Sequence, residues 1–475
     1  MNQNDEDDHK PLFVQYVAEN IDHNAVTLTG SDTIHRMGII SCSINPVEKR
    51  RQRIPRLKQR LKASSFSNRD CIKILPYNRP AIRSDPLFLK PLRELRYGTK
   101  LDHYDLLWHC GWFMSEEQPR PHWGGFMQCC TYNTEFSASK STIDFLPIID
   151  LNPNDINCIY STLIFVINQA RQQKVITPCI TFDQPLYWKA TEIIKAERLE
   201  VVCRLGGFHT LMSNLSSIGK VMKGSGLEEL FEEVYPARTV EHIMSGKAYA
   251  RAIRAHTLVE SALKTILLDM IQEKYTIDFE PLKSFYEKAL TKELDAESIS
   301  EMLASDAFKQ LSEKLEEIMT QFSSQSRTAK LWILYLKYIG IVKKFIFAER
   351  TCNWQMHLNA ISEMLNLFAA TGHRNYAKCA RLYLQEMEQL PEKYPWLHKQ
   401  FMEGRHAISR TGNTWTSIWS DLCIEQTLMR AIKALGGLTR GRGFSECVHI
   451  LWVLSMSCSA EIDAAMKMKE FIGLD

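Results

Sequence analysis

A chain of 475 residues is too long for one ordinary compact domain, so its length predicts two or three structural units. Apolar residues make up 45% of the chain and charged residues 24%, a globular balance that excludes general disorder. The formal net charge of +3 excludes a chain that is basic throughout, so any surface that binds nucleic acid must come from local clustering of charge.

Three short β-type segments open the chain. Residues 12–18, 25–28 and 33–43 are rich in β-branched and aromatic residues, and polar turns separate them, which is typical of an antiparallel meander. We expect the first of these turns at residues 19–24. A basic segment follows at residues 49–62, where eight of the fourteen residues are Lys or Arg. This segment is either a solvated surface feature or an arm that contacts phosphate.

Strands and helices then alternate. The pattern predicts strands at residues 143–150, 177–182 and 199–205, with a helix between each pair. Asn154 is a candidate cap for the first of these helices, and Pro185 suits the first turn of the second. Because β-α-β connections join parallel strands, this alternation predicts parallel strands that are covered by helices.

The remainder of the chain is mostly helical by pattern. Residues 213–400 carry apolar side chains at helical spacing and few glycines or prolines, which predicts an all-α insertion. A late helix at residues 421–435 ends at a glycine pair. A meander followed by alternating strands and helices is the ribonuclease-H-like order. We therefore predict an α/β fold, a ribonuclease-H-like mixed sheet with helices that is interrupted by a large all-α insertion.

The predicted organisation has five segments. The core sheet is divided between two of them, and the other three are two insertions and a C-terminal helical segment. They are residues 1–48 with the first core strands, residues 49–140 as a basic and irregular insertion, residues 141–212 with the remainder of the core sheet, residues 213–400 as the all-α insertion, and residues 401–475 as C-terminal helices that carry the late acidic residue.

Acidic residues at the ends of predicted elements are candidates for metal chemistry. Glu19 and Asp22 follow the first strand, Asp183 ends a later strand, and Glu425 lies on the late helix. Mg²⁺ prefers carboxylate oxygens, and two-metal phosphoryl transfer needs acids that converge from several elements. Each acid also has an ordinary alternative: Asp22 in a turn, Asp183 as a helix cap, and Glu425 on a solvated face.

Basic and histidine residues supply weaker signals. The glycine-rich loop at residues 436–443 can bring backbone N–H groups close to an anion while its arginines reach phosphate, or it is a flexible helix end with solvated arginines. The histidines with a motif-like context are more often structural than ligating; they are His209, His357 and His373. The candidate nucleic-acid contacts are Arg440, Arg442, Arg410, Lys49, Arg50 and Arg51.

Cysteine usage and the first residues bear on the cellular compartment. The thirteen cysteines include no C-x-x-C pair, which indicates reduced thiols and offers no zinc-ligand spacing. The acidic N-terminal segment lacks the basic and apolar parts of a signal peptide, and no stretch is apolar enough to span a bilayer. We therefore expect an intracellular protein, nuclear or cytoplasmic, that does not enter a membrane.

Seven segments resemble an uncharacterised family of mobile-element-encoded proteins of animal genomes, transposase-like with a ribonuclease-H-like core. The resemblance covers nearly the whole chain. It rests on the similarity of these sequence motifs and not on any known activity. The matching segments are residues 19–38 (ENIDHNAVTLTGSDTIHRMG), 181–190 (TFDQPLYWKA), 204–212 (RLGGFHTLM), 245–254 (SGKAYARAIR), 353–358 (NWQMHL), 372–376 (GHRNY) and 421–443 (DLCIEQTLMRAIKALGGLTRGRG).

This resemblance implies a transposase-derived protein that processes nucleic acid. It points to Asp22, Asp183 and Glu425 as catalytic metal ligands, to Mg²⁺ or Mn²⁺ as the cofactor and to DNA as the partner, and it is compatible with a homo-oligomer. The family pattern places Asp where this chain has Glu19, so the longer side chain shifts that carboxylate by a methylene. Either Glu19 or Asp22 is then the first-strand acid.

Two other functions remain open from the sequence. The first is a catalytically inactive mobile-element relic that acts as a nucleic-acid-binding or protein-interaction module. It fits the early start of the first strand, since no DNA-recognition signature precedes it and a truncated copy would look like this. The second is a helical scaffold, which would explain the α-rich middle without the acids.

Overall fold

The architecture is that of a mixed α/β protein with one main sheet. The computed structural model describes residues 12–25, 32–44, 72–78, 91–92, 100–114, 121–132, 139–412 and 415–430. The strands of the main sheet are β1 (Phe13–Ala25), β2 (Asp32–Ile44), β3 (Thr142–Phe145), β4 (Cys179–Phe182) and β5 (Val202–Leu205).

Helices make up most of the rest of the described chain. Two of them precede β3, three follow the later core strands, and eleven form the α-rich part. In chain order they are α1 (Lys100–Met114), α2 (Trp123–Thr131), α3 (Ile156–Gln172), α4 (Gln184–Glu197), α5 (Gly207–Met222), α6 (Leu227–Glu232), α7 (Ala237–Met244), α8 (Tyr249–Lys274), α9 (Glu280–Leu290), α10 (Ala296–Ala304), α11 (Asp306–Gln325), α12 (Arg327–Arg350), α13 (Trp354–Ala370), α14 (Arg374–Glu388), α15 (Leu390–Lys393) and α16 (Pro395–Met402).

The main sheet has the order β3-β2-β1-β4-β5. Strands β1, β2 and β3 are antiparallel neighbours, whereas β4 runs parallel to both β1 and β5. The α/β prediction with a mixed sheet and an α-rich middle is therefore confirmed. The parallel pairs arise where helices α3 and α4 carry the chain back across the sheet, as β-α-β connections require.

The first strand is longer than its sequence predicts. The expected turn at residues 19–24 is wrong, because β1 continues to Ala25 and pairs with β2 over its whole length, with Glu19 opposite Gly38 and Asn24 opposite Thr33. A separate strand was expected at residues 25–28, but residue 25 is the last residue of β1. Residues 26–28 lie outside the described part. A long pairing partner satisfies the backbone groups, and this outweighs the local preference of polar residues for turns.

The junctions around α3 and α4 depend on short polar side chains. Asp155 rather than the predicted Asn154 caps α3, since its carboxylate accepts from the backbone N–H of Asn157. The side chain and backbone oxygens of Asn154 instead accept from Lys189. Strand β4 ends at Phe182, immediately before Asp183, as the sequence indicates. These caps fix where each helix leaves the edge of the sheet.

The last described elements return the chain to the sheet. A short hairpin of β6 (Ile408–Ser409) and β7 (Ser417–Ile418) precedes α17 (Ser420–Ile424), and a π-helical turn continues it over Glu425–Met429. The Ser420 hydroxyl donates to the Thr181 hydroxyl of β4 at 2.9 Å, which ties α17 to the sheet. The predicted late helix thus begins as expected, and its predicted end lies outside the described residues.

Two hydrophobic cores meet along helices that contribute to both, among them α12. The first surrounds the sheet and includes α3, α4, α5, α13 and α14, and the second lies among α1, α2, α9 and α11. Helix α12 belongs to both, because Phe345 is buried in the first core and Phe347 in the second. None of the helices in the described part of the chain combines the length and the apolar character needed to cross a bilayer.

A buried ion-pair network joins α1, α8 and α12. The Lys343 ammonium contacts the Asp105 carboxylate and lies 2.7 Å from Glu260 Oε2, and it also lies over the rings of Trp108 and Trp123. Burial opposes the charge of Lys343, but the two carboxylates hold its pKa above the ordinary value. This lysine therefore remains charged in the interior and links the three helices.

Candidate functional site

Strand register brings two acidic residues to one end of the sheet. In the parallel pair of β1 and β4, Val17 lies opposite Thr181, and continuing this register by two residues brings Glu19 and Asp183 to the same level. The Glu19 side chain is buried, with 5% of its surface exposed. Asp183 is partly exposed, and its Oδ1 accepts from the backbone N–H of Leu186 at 3.2 Å, so it does cap α4. Capping occupies one carboxylate oxygen and leaves the other for a second role.

Asp421 reaches the same end of the sheet from α17. It is fully buried, and its two oxygens accept from the backbone N–H groups of Phe208 and His209 at 3.1 Å each. Its Oδ2 also lies 3.2 Å from His209 Nδ1. The Asp421 carboxylate therefore caps the N-terminus of α5, where free N–H groups and the helix dipole favour a negative charge.

Two consecutive glycines make this approach possible. A Cβ atom at Gly206 would lie 2.5 Å from Asp421 Oδ2, and one at Gly207 would lie 2.2 Å from Cδ1 of Trp419. Any larger residue at either position would push α17 away from α5. The glycine pair between a strand and a helix is the sequence signal for a close approach, although it does not reveal which residue approaches.

The charges of this cluster shift the protonation of its members. Burial, together with repulsion from Asp183, Asp421 and Glu425, raises the pKa of Glu19 to about 8 against the attraction of His209. Burial and the charge of Asp421 also raise the pKa of Asp183. At pH 7 the Glu19 carboxyl is therefore protonated. We call Glu19, Asp183, Asp421, Glu425 and His209 the acidic cluster.

His209 and Asp421 form the charged pair within the acidic cluster. Burial lowers the pKa of His209, but its bond to Asp421 and the nearby carboxylates outweigh this and raise it to about 10. Burial acts against the charge of Asp421 too, yet the hydrogen bonds and charge of His209 hold the pKa of Asp421 below its ordinary value. His209 was expected to be structural, and its link to Asp421 makes it the cation that offsets the acids.

The acids proposed from the sequence are placed as follows. Asp183 and Glu425 both lie close enough to Glu19 for their charges to act on it, and Glu425 begins the π-helical turn and is half-buried rather than on a solvated face. Asp22 lies in β1 opposite His35, and its side chain is outside the described part. Of the two first-strand candidates, Glu19 is the one whose described side chain joins the acidic cluster. Asp421 was missed.

The basic candidates are described only in part. Arg410 is exposed, and its Nη2 donates to Oε1 of Gln426 at 3.0 Å, next in sequence to Glu425. It therefore places a positive charge beside the π-helical turn that begins at Glu425. The other predicted nucleic-acid contacts lie outside the described residues; they are Lys49, Arg50, Arg51, Arg440 and Arg442.

The donors of the acidic cluster fit a hard divalent cation. Carboxylate oxygens are the ligands that Mg²⁺ and Mn²⁺ prefer. Oε2 of Glu19 is buried and has no hydrogen-bond partner among the described residues, so an acceptor is available inside the cluster. Both oxygens of Asp421 are already occupied, which leaves Glu19, Asp183 and Glu425 as the residues that could hold ions.

Tighter groups of ligand atoms lie elsewhere in the described part of the chain. Two sets of three residues have ligand atoms within 4.8 Å of one another, and no three carboxylates of the acidic cluster form such a set. In one set the Lys343 ammonium already supplies the cation. The two sets are Asp105, His109 and Glu260, and Glu349, His357 and His406.

Comparison with known proteins gives a family and no activity. No curated protein and no solved structure matches this chain. The family described as "Domain of unknown function (DUF8702)" matches residues 122–474, a stretch that contains Asp183, His209, Asp421 and Glu425 but not Glu19. Since the match extends over far more than half of the 475 residues, the chain belongs to the family with the Domain of unknown function (DUF8702).

Proposed function

We propose that this chain is a transposase-derived, nucleic-acid-processing protein with a ribonuclease-H-like core. In this proposal Glu19, Asp183 and Glu425 bind Mg²⁺ or Mn²⁺ and support phosphodiester cleavage or strand transfer on DNA. The observation that carries the proposal is the convergence of acids from β1, from the end of β4 and from the C-terminal helix. The sheet order, with three antiparallel strands followed by two parallel ones, supports the same assignment.

The residues of the acidic cluster and its surroundings would have different roles in this reaction. Bound ions would activate a water or a 3′ hydroxyl and stabilise the leaving oxygen. Glu19 must lose its proton to bind an ion, so binding is coupled to proton release and improves as the pH rises towards the Glu19 pKa of about 8. Asp421 is a positioning residue, because it fastens His209 and the start of α5. The exposed Arg410, beside the π-helical turn, would contact a phosphate.

A second candidate function has its own supporting observation. Glu19 is buried and protonated at pH 7, and it replaces the Asp that the family resemblance implies. Both features reduce the ability of the acidic cluster to hold ions. A protein that binds nucleic acid without cutting it would keep basic contacts such as Arg410 and lose the metal chemistry.

Cleavage with matched variants tests the proposal. The full chain is incubated with supercoiled plasmid and labelled single-stranded DNA in Mg²⁺ or Mn²⁺, beside Asp183→Asn and the control Asp269→Asn, which alters an exposed residue of α8. We expect Asp183→Asn to lose at least about 100-fold in rate, beyond the usual effect of an outer-shell partner. Asp269→Asn should match the wild type. Metal-dependent cleavage by Asp183→Asn would refute the assignment.

The variant Glu19→Asp separates the two candidate functions. Shortening the side chain by one methylene restores the residue that the family resemblance implies. If the wild type binds DNA without cleaving it and Glu19→Asp cleaves it, the fold is that of a nuclease whose site is inactive in this chain. If both bind DNA and neither cleaves it or binds Mn²⁺, the binding function stands and the catalytic one is excluded.

A further inference from the structure

A second group of ligand-type residues lies away from the acidic cluster. Glu349 is near the end of α12, His357 is in the first turns of α13, and His406 precedes β6, and all three side chains are buried. Glu349 Oε1 lies 2.9 Å from His357 Nδ1, and Glu349 Oε2 lies 3.6 Å from His406 Nε2. We call these three residues the His-His-Glu group.

The backbone brings the group together at a corner between helices. The chain breaks after α12, and Asn353 starts α13 by accepting from the backbone N–H of Met356 at 3.0 Å. The loop that carries His406 closes on this corner through Gly404, which has a φ of +81° and whose added Cβ would lie 2.6 Å from the Cβ of Cys352. Glycine is needed there because both the backbone angle and the space exclude a side chain.

The hydrogen-bond partners of His406 fix the position of its proton. Its Nδ1 lies 3.4 Å from the backbone oxygen of Phe401, and a carbonyl oxygen only accepts, so Nδ1 carries the hydrogen. In the neutral ring, Nε2 then presents a lone pair towards Oε2 of Glu349. Arg204 holds this arrangement in place, since its Nη1 donates to the backbone oxygen of His406 and to Oε1 of Gln15 at 2.9 Å each.

The inward-facing atoms of the group have no hydrogen bonds. Within the described part of the chain, both oxygens of Glu349, both ring nitrogens of His357 and Nε2 of His406 are buried without a hydrogen-bond partner, because Glu349 Oε1 and His357 Nδ1 are close but not aligned for a hydrogen bond. Burying such atoms unsatisfied is costly, and two lone pairs that face each other repel. A cation placed between them removes both penalties.

The protonation of the two histidines agrees with this interpretation. Burial lowers the pKa of His406 to about 3 and the pKa of His357 well below its ordinary value, which favours neutral rings, and it raises the pKa of Glu349, so an ion has to displace a proton from that carboxyl. Neutral imidazole is the form that binds metals. The network around Lys343 differs, because its ammonium contacts two carboxylates directly, whereas the Arg204 guanidinium acts on Glu349 only through its charge.

We propose that Glu349, His357 and His406 bind one divalent transition-metal ion, with Zn²⁺ as the best match to two imidazole nitrogens and one carboxylate oxygen. Three protein ligands leave a fourth position for water. The ion fastens the α12–α13 corner to the loop before β6. The inference does not depend on the proposed nuclease function, because hard ions choose the acidic cluster and borderline ions choose imidazole.

Cobalt substitution tests this site directly. The full chain is stripped with a chelator and titrated with Co²⁺, whose visible absorption reports four-coordinate binding without any activity assay. We expect one equivalent of Co²⁺ to bind, Zn²⁺ to displace it, and a tenfold excess of Mg²⁺ to leave it in place. A wild-type protein that gives no Co²⁺ spectrum and takes up no Zn²⁺ would overturn the proposal, and the Glu349 carboxyl would then hold a proton instead.

Variants locate the ion. His406→Ala and the milder Glu349→Gln should each weaken Zn²⁺ affinity by more than about 100-fold, since loss of an outer-shell partner alone costs 10- to 100-fold. The control His242→Ala removes an exposed histidine of α7 and should bind as the wild type does. Circular dichroism of each stripped variant checks folding. If Glu349→Gln folds and binds Zn²⁺ with unchanged affinity, the ion is held elsewhere and the assignment fails.

Discussion

The substitution Glu19→Gln should stabilise the protein at neutral pH. Native Glu19 has a pKa of about 8, whereas its ordinary value is 4.5. At pH 7 the native carboxyl keeps a proton that the unfolded chain has released. A tenfold change in proton affinity is worth about 1.36 kcal/mol, so holding this proton at pH 7 costs about 3 kcal/mol of stability. Glutamine is neutral in both the folded and the unfolded state and needs no such proton.

The sign of the pH dependence follows from the same shift. Below pH 4.5 both states of Glu19 are protonated and the group has no effect on stability. Between pH 4.5 and about 8 the native state binds one more proton than the unfolded state, so the wild type loses stability as the pH rises. His209, whose native pKa of about 10 lies above its ordinary value of 6.5, adds a second loss across that higher range in both proteins.

Thermal and urea unfolding from pH 5 to pH 9 measure the difference. The advantage of Glu19→Gln should grow steadily from pH 5 to pH 8 and then level off, and Mg²⁺ should raise the Tm of the wild type alone. The control Glu273→Gln changes an exposed residue of α8 and should follow the wild type. A Glu19→Gln protein with the wild-type pH slope would show that Glu19 ionises normally, and the acidic cluster would not have the charge assigned to it.

Two further substitutions test the packing around the site and the helices. Gly206→Ala should lower the Tm, because its Cβ would lie 2.5 Å from Asp421 Oδ2. In the control Gly340→Ala the new Cβ meets nothing within 4 Å, so this substitution should stabilise α12 by up to about 1 kcal/mol. Equal Tm values of the two variants in calorimetry would contradict the close approach of Asp421 to Gly206. Lys343→Met should cost about 3–5 kcal/mol in urea unfolding, because Asp105 and Glu260 lose their cation, and an unchanged midpoint would show that the network contributes nothing.

Local chemistry made some of the fold predictable. The end of β4 and the start of α4 follow from an apolar strand, then Asp183, then Pro185, because each residue acts on its immediate neighbours. The length of β1 was not predictable in the same way. Its polar second half looks like a turn, and only the pairing with β2, which is made at long range, keeps it extended.

The same distinction explains which site residues were found. Asp183 was found because it ends a strand. Asp421 was missed because the helix that it caps begins at Gly207, far away in sequence, and Gly206-Gly207 signals only that something comes close. His357 looked like a lone structural histidine for a related reason, since its two neighbours in the His-His-Glu group come from other elements.

Helix α12 limits which segments of this protein can be deleted without disrupting the fold. One face of the helix contributes to the core around the sheet and the other to the core among α1, α2, α9 and α11. Deleting the whole α-rich middle would therefore expose apolar side chains of the core around the sheet. A shortened version of the protein has to retain α12. The α-rich middle therefore forms part of the core around the sheet and is not a separate domain. We expect the two cores to unfold in one calorimetric transition.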